Sequence, residues 1–264
     1  MAVKLVAFDM DGTMLTSDKK LPEGIEDEIR RLHGKGIAVA AASGRFFGTI
    51  RDMFPRCEGC LSCIGCNGHE IYRDGELVSL LSFSDETVLA AVRQARAHGG
   101  IVPVLFTSDK GYAVVEPGSD DWRPGIGEEE YGPLELVAEP VLDEPIIKIS
   151  LFSPAGSGDT EEHMNTLAEE LPQDVKWVTT SAWTVDGCLD GMNKGRGLAI
   201  LAGELGVRME ETMALGDHMN DLEMIVAAGE GVAMGNAIPE VKAAADRVTW
   251  TNDEWGVLRE FQRL

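Results

Sequence analysis

Four short segments of the sequence carry residue types that can hold a divalent cation and a phosphate group. They read DMDGT at 9–13, SGR at 43–45, KG at 194–195 and GDHMND at 216–221. Each segment alone is common at a strand end or a helix start in proteins without such chemistry. Their occurrence together, in this order and each next to a predicted element, is what predicts a site.

The aspartates supply the acidic part of that chemistry. Asp9 and Asp217 each follow a predicted strand and could reach one cation. Hard oxygen ligands that leave room for water and substrate suit Mg²⁺. A carboxylate beside such an ion can attack phosphorus and form an aspartyl-phosphate. Asp11, two residues after Asp9, could protonate the leaving oxygen and later take a proton from water.

Polar and cationic residues in the other segments complete a phosphate site. The Ser43 hydroxyl and the Lys194 ammonium can bind non-bridging phosphate oxygens. Lys194 also opens a predicted helix, whose N-terminal amides add positive character. Asn220 and Asp221 lie at the start of the next predicted helix and can orient Lys194 or a water on the metal.

Hydrophobic patterning predicts the elements that position these residues. Apolar runs at 3–9 and 37–44 predict buried strands, with a helical spacing of apolar residues between them. The alternation returns after residue 194, whereas the middle is rich in hairpins and has a loop predicted over 117–133. The pattern predicts an α/β fold, with a Rossmann-like doubly wound parallel-sheet core from 1–81 and 187–264 and an inserted α+β domain at 82–186. The four segments fall at carboxyl ends of its strands.

The bulk composition limits the partners of the chain. Its 264 residues are 44% hydrophobic and 26% charged, as in globular proteins with a substantial core. The net charge of -22 disfavours nucleic acids and anionic lipid surfaces, so the predicted partner is a small phosphorylated molecule. No apolar run approaches the ~18 residues that span a bilayer, and the N-terminus has no signal-peptide core, so we expect a cytoplasmic protein.

The succession of motifs resembles that of one large family. FDMDGTML, AASGR, NGHEIY, NKGRGL and GDHMND are similar to the motifs of the haloacid dehalogenase (HAD) superfamily of phosphatases, and within it to the Cof-type hydrolases with a C2B cap. The resemblance covers essentially the whole chain. It implies a Rossmann-like core, a mobile α/β cap and Mg²⁺. It also implies that Asp9 is the nucleophile, that Asp11 is the general acid/base with its backbone carbonyl on the metal, and that Asp217 is a metal ligand.

The resemblance also implies roles for the other motif residues. The residues implied in phosphate binding are Ser43, Gly44, Lys194 and Asn220. Asp221 would support them without touching the substrate. The family usually has Asn-Gly-Ala where this chain has Asn67-Gly68-His69, so Asn67 and His69 are candidate substrate contacts. His69 is otherwise a surface or hairpin histidine, and Arg45 either reaches the substrate or pairs with an acid.

These patterns predict a Mg²⁺-dependent phosphatase that hydrolyses a small phosphorylated metabolite through an aspartyl-phosphate. A sugar phosphate is the expected substrate class. A sugar phosphomutase on the same core is the alternative, and it differs only in whether water or a second hydroxyl takes the phosphoryl group.

A cysteine-rich segment offers a different class of function. Cys57, Cys60, Cys63 and Cys66 are each three residues apart, a spacing similar to that of cluster-binding runs. A metal or redox protein built on them is therefore a further alternative. Against it, the core requires a strand over 61–66, in which Cys63 and Cys66 would face opposite sides of the sheet. The segment is then predicted to serve sheet packing.

Overall fold

The computed structural model describes residues 2–116, 118, 134–153, 161–173, 175–181 and 184–264. The chain divides into two units, one made of Met1–Leu80 with Met192–Leu264 and the other of Leu81–Gly191. The loop predicted over 117–133 lies outside the described residues, apart from Gly118. In the part of the chain that the structure describes, no helix has the length and apolar character needed to cross a membrane.

Strands and helices alternate at both ends of the chain. The strands are β1 Leu5–Phe8, β2 Ala38–Ala42, β3 Ser62–Gly65, β4 Glu70–Arg73, β5 Glu76–Leu80, β6 Val102–Phe106, β7 Gly111–Val114, β8 Leu134–Val137, β9 Lys148–Phe152, β10 Val175–Ser181, β11 Thr184–Leu189, β12 Thr212–Gly216, β13 Glu230–Ala233 and β14 Arg247–Val248. The helices are α1 Ile25–Gly34, α2 Phe47–Met53, α3 Asp85–His98, α4 Glu161–Glu170, α5 Lys194–Leu205, α6 Leu222–Ala227, α7 Pro239–Ala244 and α8 Gly256–Arg263.

The first unit is built on an eight-stranded sheet with the order β14-β13-β12-β1-β2-β3-β4-β5. The pairs from β14 to β3 are parallel, and β4 and β5 add antiparallel strands at one edge. Starting at β1, successive strands of the chain are added toward the β5 edge of the sheet through β2 and β3. Starting at β12, they are added toward the opposite, β14 edge. A sheet of this kind forms its crevice at the carboxyl ends of the strands where the direction reverses, here β1 and β12. The predicted parallel α/β core is confirmed.

The central strands are buried on both faces. On β1, Val6 and Phe8 belong to one apolar cluster, and Leu5 and Ala7 belong to another. Helices α1, α2, α7 and α8 contribute apolar residues to the first cluster, and α5 contributes to the second. Because helices cover both faces, these strands read as continuous apolar runs in the sequence.

The cysteine-rich segment departs from its prediction at one end. The strand predicted over 61–66 stops at Gly65, and Cys66 begins a 3-10 turn with a φ of 46°. The Cys66 amide has left the sheet and donates to the Arg45 carbonyl at 3.0 Å. All four cysteines of the segment are buried, and burial raises the pKa of Cys57 to about 12. Among the described residues, the side chains that lie close enough together to hold a metal ion are three aspartates, and these cysteines are not among them.

The second unit is a six-stranded sheet with the order β10-β11-β9-β6-β7-β8. Its strand pairs are antiparallel except for β7 with β8. Ser84 caps α3, because its side chain accepts a hydrogen bond from the Thr87 amide at 3.1 Å. Apolar residues of α3 and α4 join those of the sheet in a separate core. The unit therefore has the predicted α+β character.

Candidate active site

A fully buried lysine lies between two aspartates at the carboxyl end of β1. Lys194 Nζ is 2.6 Å from Asp9 Oδ1 and 2.6 Å from Asp221 Oδ1, and the lysine side chain is 0% exposed. Lys194 is the first residue of α5, and its neighbour Asn193 caps that helix by accepting the Arg196 amide. Lysine is almost never fully buried unless it is paired. The two carboxylates provide that pairing.

The loop after β12 is folded around Asp221. Its Oδ2 accepts the backbone amides of Asp217 at 2.9 Å and His218 at 3.1 Å, while its other oxygen faces the buried lysine. Asp217 in turn accepts a hydrogen bond from Thr13 Oγ1 at 2.8 Å. Gly12 has a φ of 82°, and a Cβ there would collide with the Asp217 carboxylate. Glycine is therefore required for the DMDGT loop to approach this aspartate.

Three carboxylates form a compact acidic group. Oxygens of Asp9, Asp217 and Asp221 all lie within 4.8 Å of one another. With one ammonium among them, the fully ionised group has two negative charges, which is the charge that a divalent cation would neutralise. Burial raises the pKa of Asp9 to about 7 even though Lys194 opposes the shift, and burial also raises the pKa of Asp217. Both shifts indicate buried carboxylates whose charge is incompletely compensated.

The Asp11 carboxylate is held by two cations. Its Oδ2 accepts from Arg45 Nε at 2.9 Å, and its Oδ1 accepts from Arg45 Nη2 at 2.9 Å and from Lys19 Nζ at 2.7 Å. Burial would raise the pKa of Asp11, but the hydrogen bonds from Arg45 and Lys19 outweigh burial and lower it. Of the two roles considered for Arg45, the structure shows the pairing with an acid.

The loop after β2 packs against the turn after β3. Ser43 is buried, and its carbonyl accepts the Asn67 amide at 2.9 Å. Asn67 has a left-handed backbone with a φ of 53°, which Asn tolerates better than most residues. Its side chain lies against Gly44, where a Cβ would be 3.4 Å from Asn67 Nδ2. The structure thus brings together three of the residues predicted to bind phosphate or substrate.

Two other predicted residues have surroundings that the sequence did not indicate. Asn220 lies in the 3-10 turn Met219–Asp221, because the predicted helix begins only at Leu222. Asn220 is exposed, and its Nδ2 is 3.5 Å from Asn67 Oδ1, too long for a strong hydrogen bond. His69 is buried, so its interpretation as a surface histidine is wrong. Its contact with a substrate stays a prediction.

Side chains from the C-terminal part of the chain hold the turn that follows the DMDGT motif. The bonds are Asn236 Nδ2 to Gly12 O at 2.7 Å, Asn252 Nδ2 to Leu15 O at 2.9 Å, and Ser17 N and Oγ to Asp253 at 2.7 and 2.8 Å. Sequence reasoning missed these residues. Amides and acids in loops are common, and nothing in their spacing separates them from solvated surface.

Thr13 and Lys19 were missed for a different reason. Both are close in sequence to the motif, and Thr13 is part of it. Their partners, Asp217 and Asp11, became apparent only from the fold. A hydroxyl and an ammonium beside a cluster of predicted carboxylates are the signals that could have found them.

Comparison with known proteins gives a consistent result over the whole chain. Residues 6–261 match the family model of the haloacid dehalogenase-like hydrolases. A 5-amino-6-(5-phospho-D-ribitylamino)uracil phosphatase of Bacillus subtilis, YcsE, is 27% identical over 262 residues, which cover 98% of this chain and 95% of the relative. The HMP-PP phosphatase of Cronobacter sakazakii is 30% identical over 250 residues, which cover 91% of this chain and 87% of the relative.

Solved structures show the same likeness. The crystal structure of a haloacid dehalogenase-like hydrolase from Bacteroides thetaiotaomicron has a TM-score of 0.82 and 25% sequence identity, with 99% of each chain covered.

The fold and the charged group at the β1–β12 crevice define an enzyme, and the family match makes that enzyme a hydrolase. The chain belongs to the haloacid dehalogenase-like hydrolases. The predicted membership in the HAD superfamily is thereby confirmed, and the two relatives given above are named as phosphatases.

Proposed function

We propose that the protein is a Mg²⁺-dependent phosphatase that hydrolyses a small phosphorylated metabolite through an aspartyl-phosphate on Asp9. The observation that carries the proposal is the setting of Asp9, which Lys194 holds by one carboxylate oxygen at 2.6 Å inside a group of three aspartates. Its second oxygen is then the nucleophile. A fixed cation beside the nucleophile stabilises the charge that develops on the phosphoryl oxygens.

The residues present fit a hard divalent cation. Asp9, Asp217 and the backbone carbonyl of Asp11 are proposed to hold Mg²⁺, which prefers oxygen ligands and keeps positions for water and phosphate. Asp221 is proposed to orient the site, because its Oδ1 is on Lys194 and its Oδ2 is on two amides. When bound, Mg²⁺ would neutralise negative charge on the transferring phosphoryl group.

The two steps are carried by the side chains of the chain itself. Asp9 attacks phosphorus, the bond from phosphorus to the leaving oxygen breaks, and Asp11 gives its proton to that oxygen. Water then attacks the aspartyl-phosphate while Asp11 takes the proton, which releases phosphate and restores Asp9. The ion pairs of Asp11 with Arg45 and Lys19 favour its ionised form, which is the form that the second step uses. For the first step Asp11 must take up a proton from water or from the substrate phosphate before it gives that proton to the leaving oxygen.

The remaining predicted residues are proposed to bind the phosphoryl oxygens and the rest of the substrate. Lys194, the Ser43 hydroxyl, the Gly44 amide and Asn220 are proposed as phosphate ligands. Asn67 and His69 are proposed as contacts on the substrate side, and Arg45 is proposed to hold Asp11 through the paired hydrogen bonds described above. Because Lys194 is fully buried, its charge acts in a low dielectric and is little screened.

The substrate is proposed to be a small phosphorylated metabolite, with sugar phosphates as the class to test first. The two relatives above are named for a phosphoribitylaminouracil and for HMP-PP, both small phosphorylated compounds. The unit Leu81–Gly191 is proposed to be the C2B-type cap, the part to which the resemblance assigns substrate selection.

A screen for released inorganic phosphate tests the function. Phosphorylated sugars, nucleotides and cofactors would be incubated with the full chain, with Mg²⁺ and with excess chelator. Release of phosphate that needs Mg²⁺ is the expected result. Transfer of the phosphoryl group to a second hydroxyl without release would support the phosphomutase instead, and phosphate release at the same rate in chelator would overturn the metal assignment.

A further inference from the structure

A lysine outside the predicted site reaches the Asp11 carboxylate. Lys19 Nζ lies 2.7 Å from Asp11 Oδ1, at the same oxygen that accepts Arg45 Nη2 at 2.9 Å. A tight turn places the lysine there: its amide donates to the Thr16 carbonyl at 2.8 Å, and its φ is 59°. The left-handed backbone is unusual for a residue other than glycine, asparagine or aspartate.

Asp11 does not need Lys19 for neutrality. Arg45 already forms a two-pronged pair with both Asp11 oxygens, at 2.9 Å each. Lys19 therefore brings additional positive charge to this place. In a chain with 45 acidic and 23 basic residues, most of the surface would repel an anion. The charge on Lys194, in contrast, is enclosed between two carboxylates.

The two cations differ in how readily they can meet a ligand. The Arg45 side chain is 16% exposed and fixed by its paired hydrogen bonds, whereas the Lys19 side chain is 65% exposed. An exposed ion pair contributes only about 0–1 kcal/mol. The Lys19 ammonium can therefore turn from Asp11 to a bound anion at small cost.

The position of Asp11 determines which part of the substrate would lie near Lys19. This step rests on the proposed function, in which Asp11 acts on the leaving oxygen. The leaving group then lies against Asp11 and beside Lys19. We propose that Lys19 binds a second anionic group on the leaving-group side of the substrate. The enzyme would thus prefer phosphorylated compounds whose leaving group carries a carboxylate or a further phosphate.

Matched substrate pairs test this preference. Phosphoglycolate against ethyl phosphate isolates a carboxylate, and methyl diphosphate against methyl phosphate isolates a second phosphate. The measured quantity is kcat/KM for the charged member divided by kcat/KM for its partner. A unit charge at about 4 Å in water corresponds to roughly a fivefold change, so K19M is expected to lower this ratio about fivefold in at least one pair.

The controls separate binding from positioning. K19R keeps the charge and is expected to keep the ratio, and Lys20→Met, at the exposed neighbour, is expected to leave it unchanged. If Lys19 only positions Asp11, K19M lowers both members of a pair equally and the ratio stays constant, which would overturn the inference. The pair whose ratio falls identifies the anion as a carboxylate or a phosphate.

A binding measurement covers variants that turn over too slowly. In an Asp9→Asn background, the ratio of the dissociation constants of phosphoglycolate and ethyl phosphate is expected to shift about fivefold when K19M is added. No shift would contradict the inference. If the wild type turns over ethyl phosphate and K19M leaves the ratio unchanged, this inference alone is refuted. If no compound releases phosphate, the proposed function is refuted together with it.

Discussion

Replacing Lys194 by methionine is the perturbation that most directly tests the buried charge group. Methionine has a similar length and no charge, so Lys194→Met leaves Asp9 and Asp221 without the ammonium that lies 2.6 Å from each. Each contact corresponds to about 6 kcal/mol of Coulomb energy at an effective dielectric of about 20. Removal of the ammonium from water offsets much of this, and breaking a buried pair typically costs about 3–5 kcal/mol.

The expected result is a loss of about 3–5 kcal/mol in the free energy of unfolding of the core at high pH, measured by urea denaturation. Lys242→Met, at a half-buried position on α7, is the matched control and should change it by less than about 0.5 kcal/mol. A core that unfolds with the wild-type midpoint in Lys194→Met would show that the buried ammonium does not stabilise it.

The pH dependence adds a second check with a definite sign. Burial raises the pKa of Asp9 to about 7 in the wild type, well above the usual pKa of an aspartate. Loss of the lysine raises the pKa of folded Asp9 further. The difference in unfolding free energy between wild type and variant is therefore full above both folded pKa values. It shrinks as the pH falls from the variant's folded pKa to about 7, and it stays at its smaller size below about 7, where Asp9 is protonated in both folded proteins. A difference that grew at lower pH would show that the lysine does not favour the ionised form of Asp9.

Two further predictions concern residues that support the core and the motif loop. Glu260 is buried, which would raise its pKa, but hydrogen bonds from Arg247 at 2.9 and 2.8 Å and from Thr249 outweigh burial and lower it. Glu260→Gln should lower the free energy of unfolding by about 2–3 kcal/mol at neutral pH. Because the folded pKa is the lower one, the difference from wild type should shrink as the pH falls below the unfolded pKa of about 4.3 and vanish only below the folded pKa. An unchanged difference in urea unfolding at low pH would contradict it. Asn252→Ala leaves the Leu15 carbonyl without its donor at 2.9 Å. It should lower the free energy of unfolding by about 1–3 kcal/mol and reduce phosphate release. Wild-type stability and rate in that variant would show that the turn does not depend on Asn252.

Much of the fold could be predicted because its pattern is local. The strands β1 and β2 are continuous apolar runs, and α1 places Ile25, Ile29 and Leu32 on one buried face. Such periodicity depends only on neighbours in sequence. The end of β3 could not be predicted in the same way. Cys66 is as apolar as a strand residue, but its amide is turned to the Arg45 carbonyl, a partner that only the fold supplies.

In the candidate site, too, residues in local motifs could be predicted, whereas contacts that depend on the fold could not. Asp9, Lys194 and Asp217 follow from motifs at strand ends and a helix start, and the structure brings them to one crevice. The pairing of Asp11 with Lys19 could not be read from the sequence, because it depends on a left-handed turn at Lys19 itself.

The hydrogen bond from Asn252 to the motif loop could not be predicted from the sequence. That contact joins residues 237 positions apart and depends on the packing of the chain ends. Local spacing carries no signal of it.

Peptide mass tests directly whether Asp9 accepts the phosphoryl group. Wild type and Asp9→Asn would be mixed with a turned-over substrate and Mg²⁺, quenched in acid, and their peptides weighed, with phosphate release followed in parallel. We expect the wild-type peptide containing Asp9 to gain the mass of one phosphoryl group. We expect Asp9→Asn to keep its fold, to show no such gain and to release no phosphate. Phosphate release by Asp9→Asn at the wild-type rate, or a phosphoryl group on a different residue, would contradict this expectation.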